Sequence, residues 1–199
     1  MKNAPQSTRS GLAASESALA ATHNGDAGAG ASVSPDEVRA CSRQLASGVS
    51  VVTTRDAAGR PYGLTMSAVL CVSLDPALFA ICIGEESETL GPLLERGAFA
   101  INVLGAEQEA LARTFASKGG RDKFRRVAYH SSATVRLPVL RGALAVVECS
   151  LVAAYPGGDH RLVVGKVEAT RLGCGPPLLR YDGRYLGVDA QEYAADRAA

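Results

Sequence analysis

The feature that most constrains this chain is how its apolar residues are grouped. From residue 49 to residue 170 they fall into short runs of strand length, at 49–54, 77–83, 98–104, 143–154 and 161–170. The first, Val49-Ser50-Val51-Val52-Thr53-Thr54, is β-branched at most positions. A turn at 56–59 and a second extended run at 62–71 follow it, which predicts a β-hairpin. Helical patterning is confined to three places. Ser34-Pro35-Asp36-Glu37 combines a capping serine, a proline at the first helical position and a glutamate three residues on. Val38, Cys41 and Leu45 then share one face, and Gly48 can end that helix. Residues 88–96 read as a helix closed by Gly97, and 107–116 as one with Leu111 and Phe115 four apart. The runs lack the regular strand–helix alternation that builds a doubly wound parallel sheet. The predicted class is mainly β with helices on the outside, a β-barrel with helical additions.

With 199 residues, one globular domain with tails is the default expectation: a tail over 1–33, a domain over 34–190 and a C-terminal tail over 191–199. Residues 1–33 are rich in Ala, Ser and Gly and have no aromatic residue, so they are expected to be disordered. Gly28-Ala29-Gly30-Ala31 lacks the preceding strand that a phosphate-binding loop requires. Lysine and arginine total 21 against 20 acidic residues, and a net charge of +1 argues against nucleic acid or an anionic membrane as partner. No run approaches the ~18 apolar residues of a membrane span, nor is there a signal-peptide core, so a cytoplasmic protein is expected. The five cysteines are scattered without a CxxC pair, which predicts neither disulfides nor a metal site but mostly buried, reduced thiols.

Three histidines, and no HExxH, GxSxG or P-loop, disfavour catalysis by side chains alone and favour a phosphorylated cofactor that carries the reaction. Three stretches are candidates to hold it. Gly63-Leu64-Thr65-Met66-Ser67-Ala68 alternates hydroxyls in an extended segment, which alone also describes an ordinary half-solvated strand. Lys118, Arg121 and Lys123 can supply positive charge to a phosphate, although such runs are commonly solvated surface. Gly157-Gly158-Asp159-His160 places a histidine at a strand mouth, where it is more often a plain surface residue.

Taken in order and at these spacings, the strings Ser47 to Thr54, Gly63 to Ala68, Val72-Ser73-Leu74-Asp75-Pro76, Ala100-Ile101-Asn102-Val103-Leu104, Gly158-Asp159-His160, Val164-Gly165-Lys166-Val167 and Pro177-Leu178-Leu179 resemble the flavin reductase-like family. Members of that family include the reductase components of phenol and 4-hydroxyphenylacetate monooxygenases. The resemblance implies a split β-barrel of the FMN-binding type, homodimeric, with flavin at the subunit interface. It implies an NAD(P)H:flavin oxidoreductase that reduces FMN or FAD with NADH or NADPH and supplies a flavin-dependent oxygenase or halogenase by diffusion of reduced flavin.

Carried over by residue, the resemblance implies that Thr65, Met66, Ser67, Ala68 and Val69 wrap the ribityl phosphate and ring edge, with Cys71 and Val72 bordering the isoalloxazine. Glu86, Ser87 and Glu88 would contact the ribityl or nucleotide part, and Lys118 with Gly119 forms another flavin-contacting turn. His160 would lie near the nicotinamide, and Asp182, Gly183, Arg184 and Tyr185 would help hold that nucleotide. Ala68 and Cys71 stand where many relatives carry small polar residues, so a phosphate would depend more on Thr65, Ser67 and backbone amides. Rival readings are a non-catalytic flavin- or haem-binding or sensing barrel, a pyridoxamine-phosphate oxidase-like enzyme and an inert interaction protein. The choices between FMN and FAD, and between NADH and NADPH, stay open.

Overall fold

A computed structural model describes residues 32–118 and 120–188. Residues 1–31 of the expected tail, the whole of 191–199, and Gly119 lie outside them. The chain divides into two compact units, Met1–Val38 and Arg39–Ala199. In the first, the predicted capping box is present: the Ser34 N–H and hydroxyl each donate to Glu37 Oε2 at 2.8 Å, and the Glu37 N–H returns to Ser34 Oγ at 3.2 Å. It opens helix α1, Pro35–Arg43, which buries none of its residues and stops five residues short of the predicted Gly48.

In the second unit the elements run β1 Ser47–Gly48, β2 Ser50–Arg55, β3 Pro61–Met66, β4 Val69–Leu74, β5 Ala77–Gly84, α2 Leu90–Arg96, β6 Ala98–Val103 and α3 Glu109–Ala116. They continue with β7 Tyr129–Ser131, β8 Pro138–Leu140, β9 Ala145–Gly157, β10 His160–Leu172, β11 Leu178–Tyr181 and β12 Arg184–Gly187. The architecture is mainly β with few helices. Seven strands form an antiparallel sheet in the order β3-β2-β6-β9-β10-β5-β4, while β1, β11 and β12 form a small second sheet.

The large sheet is not closed by hydrogen bonds, yet its two edges are covalent neighbours. In a flat sheet β3 and β4 would stand six spacings of about 4.8 Å apart, close to ~29 Å. The three Cα steps from Met66 to Val69 reach at most ~11 Å. The sheet therefore curls until its edges meet at Ser67-Ala68, and the Cys82 N–H of β5 donates to Ala68 O at 3.1 Å. Curling wraps one face of the strands around a single core, with Val52, Met66, Ile81, Phe99, Ile101, Val147 and Val163 in one buried cluster. Close packing inside requires glycine at two points: a Cβ on Gly165 would lie 2.6 Å from Phe99 Cζ, and one on Gly63 2.9 Å from Phe115 Cε1. Gly63 thus lets α3 settle against β3.

Several expectations are corrected. The single extended run at 62–71 is two strands broken at Ser67-Ala68, and the helix at 107–116 begins as a 3-10 turn, Ala106–Gln108. The stretch that carries Arg121 and Lys123, Gly120–Arg126, is 3-10 helix. Cys41, Cys71 and Cys174 are exposed, so most of the thiols are not core residues. Cys149 is one, and burial, reinforced by Glu168 and Glu148, pushes its thiol up to about 12. Among the described residues no helix is long and apolar enough to cross a membrane, and no cluster of residues is arranged to hold a metal ion.

Because the Gly165 neighbours are a ring and a strand Cβ with nowhere to move, Gly165→Ala is expected to destabilise the fold by about 1–3 kcal/mol. Urea unfolding checks this; an unchanged midpoint would show that the sheet relaxes there.

Candidate functional site

Three depressions share lining residues on the side of the molecule that carries β3 and the Ser67-Ala68 link. The first, about 310 Å³, is lined by Thr65, Glu86, Ser87, Glu88, Lys118 and Lys123, with α3 as its wall. The second, an open groove of about 430 Å³, shares Ala116 and Ser117 with the first and adds Arg113, Arg180 and Tyr185. The third, about 460 Å³, shares Arg180 and Gly183 with the groove and is completed by Arg39, Arg43, Ser67, Ala68 and Asp182. Neighbours through these shared residues, the three depressions are together called the trough.

Lys123 is the best-defined group in the first cleft. Its ammonium donates to Phe115 O at 3.2 Å and Gly63 O at 3.4 Å, tying the end of α3 to the β3 edge. Two of its three N–H bonds are occupied, which leaves one donor and a half-buried positive charge facing the cleft. Burial holds its pKa below the usual lysine value, against the opposing pull of Glu88. The Thr65 hydroxyl, by contrast, donates to Ala112 O at 2.7 Å and is committed to holding α3.

The Arg39 and Arg43 cleft is built by short connections. The Asp182 N–H donates to Arg43 O at 2.9 Å, and the Tyr181 hydroxyl to Gln44 Oε1 at 3.1 Å, pinning the β11–β12 hairpin to the end of α1. Asp182 and Gly183 both carry positive φ, 46° and 74°, as a tight two-residue hairpin requires. Beyond that turn two guanidinium groups lie over the Tyr185 ring, Arg113 at 5.1 Å and Arg180 at 5.4 Å from its centre.

The trough therefore gathers Thr65, Ser67, Ala68, Glu86, Ser87, Glu88, Lys118, Asp182, Gly183 and Tyr185. It does not gather the rest. The Met66 side chain is buried in the core, and Val69 packs against it. Cys71, Val72 and Arg184 are exposed without lining any of the three depressions. His160 pairs across the ladder with Gly84, just before the Glu86–Glu88 loop, and its Nδ1 lies 2.7 Å from Asp159 Oδ1. That contact, helped by the charge of Arg39, holds the Asp159 carboxyl below its usual range. Residue-by-residue reading missed Arg39, Arg43 and Arg180. A signal existed for the first two, since arginines four apart on a helix share a face.

Comparison with known proteins places this geometry. A flavin reductase (NADH) of Kitasatospora aureofaciens is 43% identical over 126 residues, 63% of this chain and 65% of that protein, so the chain spans just under two thirds of it. The reductase component of 4-hydroxyphenylacetate 3-monooxygenase from Thermus thermophilus is 41% identical over 143 residues, 71% of this chain and 89% of that one. The crystal structure of BorF, the flavin reductase component of a bacterial two-component tryptophan halogenase, matches with a TM-score of 0.73 and 32% identity over 78% of this chain and 98% of that one. Residues 42–189 match the flavin reductase like domain, and the chain belongs to that family.

Proposed function

We propose that this chain is an NAD(P)H-dependent flavin reductase, a split barrel of the FMN-binding type spanning residues 34–190, which hands reduced FMN or FAD to a partner monooxygenase or halogenase. The half-buried Lys123 carries the reading: beyond its two bonds that tie α3 to β3, its ammonium keeps one donor facing the cleft beside Lys118 and Ser117, which suits a phosphate oxygen. Similarity to reductases of monooxygenase and halogenase systems supports the partner class. The cytoplasm, where reduced nicotinamide is made, is the proposed setting.

Flavin, when bound, supplies the redox chemistry by accepting a hydride from reduced nicotinamide. The chain's residues bind and orient. Lys123 and Lys118 anchor the phosphate, and backbone amides at the free edge of β3 and the Ser67-Ala68 link offer donors where Thr65 has none left. His160, with Nδ1 fixed by Asp159, presents Nε2 to the nucleotide. Cys71 and Val72 on β4 border the flavin ring.

The same proposal includes a homodimer. On β4, β5, β9 and β10 alternate residues such as Val69, Ile81 and Val163 enter the core, so their neighbours face outward. There Leu70 is 63% exposed, Val72 49% and Leu162 43%, in the company of Val152 and Tyr155. Such a face, ending in an unpaired edge strand, suits burial against a second copy.

The deciding experiment follows nicotinamide absorbance with purified protein. Turnover of NADH should require added FMN or FAD, and Lys123→Met should weaken FMN binding about tenfold or more while sparing riboflavin. A protein that binds flavin but oxidises neither NADH nor NADPH is instead a sensing or binding module. His160→Ala should raise KM for NADH more than it weakens flavin binding; an unchanged KM removes the histidine from the nucleotide site. Sedimentation should give twice the chain mass for the parent protein and the chain mass for Leu162→Glu, and a monomeric parent would refute the dimer.

A further inference from the structure

The loop at residues 132–137, which joins β7 to β8, is tied from within and from two other elements. The Ser132 N–H donates to Leu137 O at 2.9 Å, the Leu137 N–H returns to Ser132 Oγ at 3.2 Å, and the Leu137 side chain is fully buried. Arg96, at the end of α2, donates to Val135 O at 3.0 Å. Arg55, at the end of β2, donates to Arg136 O at 3.1 Å and to Gly59 O at 2.6 Å. Between the inward-packed Val135 and Leu137 the loop presents Arg136, exposed and left-handed at φ 57°. Of the other left-handed positions described, all but Asp182 are glycine. A Cβ disfavours that conformation, so a loop with a purely structural task is better served by glycine or asparagine than by arginine.

Carbonyl oxygens satisfy the hydrogen bonds of these arginines without neutralising their charge. Among the described residues none of Arg55, Arg96 and Arg136 has an ion-pair partner. Asp56, next to Arg55, is committed to Arg60 at 2.6 Å, and Glu148, which accepts the Val135 N–H at 3.3 Å, is buried. Glu95 adjoins Arg96 on α2, where consecutive residues do not face each other. Three uncompensated cations thus meet at one loop of a chain whose net charge is only +1. They stand away from the Ser67-Ala68 link: Arg55 pairs with Pro61 and Ser50 with Met66, five residues or about 17 Å apart along β2.

We infer that the Arg55, Arg96 and Arg136 face is a docking surface for an acidic face of a partner protein. Guanidinium groups meet carboxylates in paired hydrogen bonds, and a loop already held in place needs little further ordering. None of the three lines a described depression, so a small anion has no enclosed seat here, whereas a protein surface needs none. In taking that protein to be the component that consumes reduced flavin, the inference rests on the flavin reductase reading: a partner held at this end leaves the trough open for flavin to depart.

Fluorescence anisotropy with a labelled polyglutamate peptide of about twenty residues tests the surface on the whole chain. The peptide should bind weakly, release as salt rises and stay bound when FMN is added. Arg136→Glu should lose about fivefold or more in affinity, whereas Arg141→Glu, the same charge change at the other end of the β7–β8 hairpin, should alter it less than about twofold. Arg136→Gly should weaken binding without lowering the urea midpoint, because glycine suits the left-handed position, so lost binding is not lost folding. NADH turnover and FMN quenching should be the same in all three variants as in the parent. A parent that does not bind the peptide, equal binding by Arg136→Glu, or displacement of the peptide by FMN overturns the surface. Tighter binding of a single-stranded oligonucleotide of equal length makes the ligand a nucleic acid and overturns it too. A parent that binds the peptide but fails to quench FMN overturns the flavin reading and the identity of the partner, and leaves the acidic docking surface standing.

Discussion

The two-residue link Ser67-Ala68 is the constraint on which the rest of this molecule depends. It joins the opposite edges of a seven-stranded sheet, so the sheet has to roll up around one core. Among the described residues, rolling leaves the hydrogen-bonding edges of β3 and β4 unpaired beside the same corner. An unpaired edge is usually a liability that a protein covers. Here α3 and Lys123 cover β3 in part, through bonds to Gly63 and from Thr65, and what they leave uncovered becomes the trough.

That origin explains which groups line the depressions. Side chains of a rolled sheet alternate between core and outside, so Met66 is consumed by the core while Thr65 faces α3. Few side chains from the sheet remain to meet a ligand. The charged groups come instead from elements laid against the rim: Arg39 and Arg43 from α1, Arg113 from α3, Lys118 and Lys123 from the turn after it, and Arg180 from the small sheet. A chain of near-zero net charge thereby acquires a locally positive channel.

Much of this was legible in the sequence, for reasons that differ by element. The capping box at Ser34 and the Gly97 stop after α2 are local chemistry, and both appear as read, Gly97 in the left-handed conformation with its N–H on Leu93 O. The break at Ser67-Ala68 was not legible, because residues 62–71 read as one extended run and only the rolled sheet forces the corner. The β11–β12 hairpin was overlooked although Asp182-Gly183 is a strong turn signal, since β11 and β12 are just four residues each. Exposure of Cys71 could not be read either: β4 is a strand of ordinary composition whose outer face is left uncovered by the described residues. Of the residues that family resemblance singled out, Thr65, Ser67, Glu86–Glu88, Lys118 and Asp182 line the depressions, whereas His160, Cys71, Val72 and Arg184 do not. Arg180 was hidden because a lone arginine carries no spacing signal.

The grip on a ligand cannot be uniform along such a channel. Exposed ion pairs are worth about 0–1 kcal/mol because water and salt screen them. A hydrogen bond from a charged group shielded from water is worth more, about 1.5–3 kcal/mol. Lys123 is half-buried and already oriented by two carbonyls, so a phosphate meeting it costs little further ordering. The arginines at the other end are open to solvent and must be ordered as they bind. On the proposed reading, a ligand would be held by its phosphate at one end while the remainder stayed exchangeable, the balance a reductase needs when its product has to leave before it can be used.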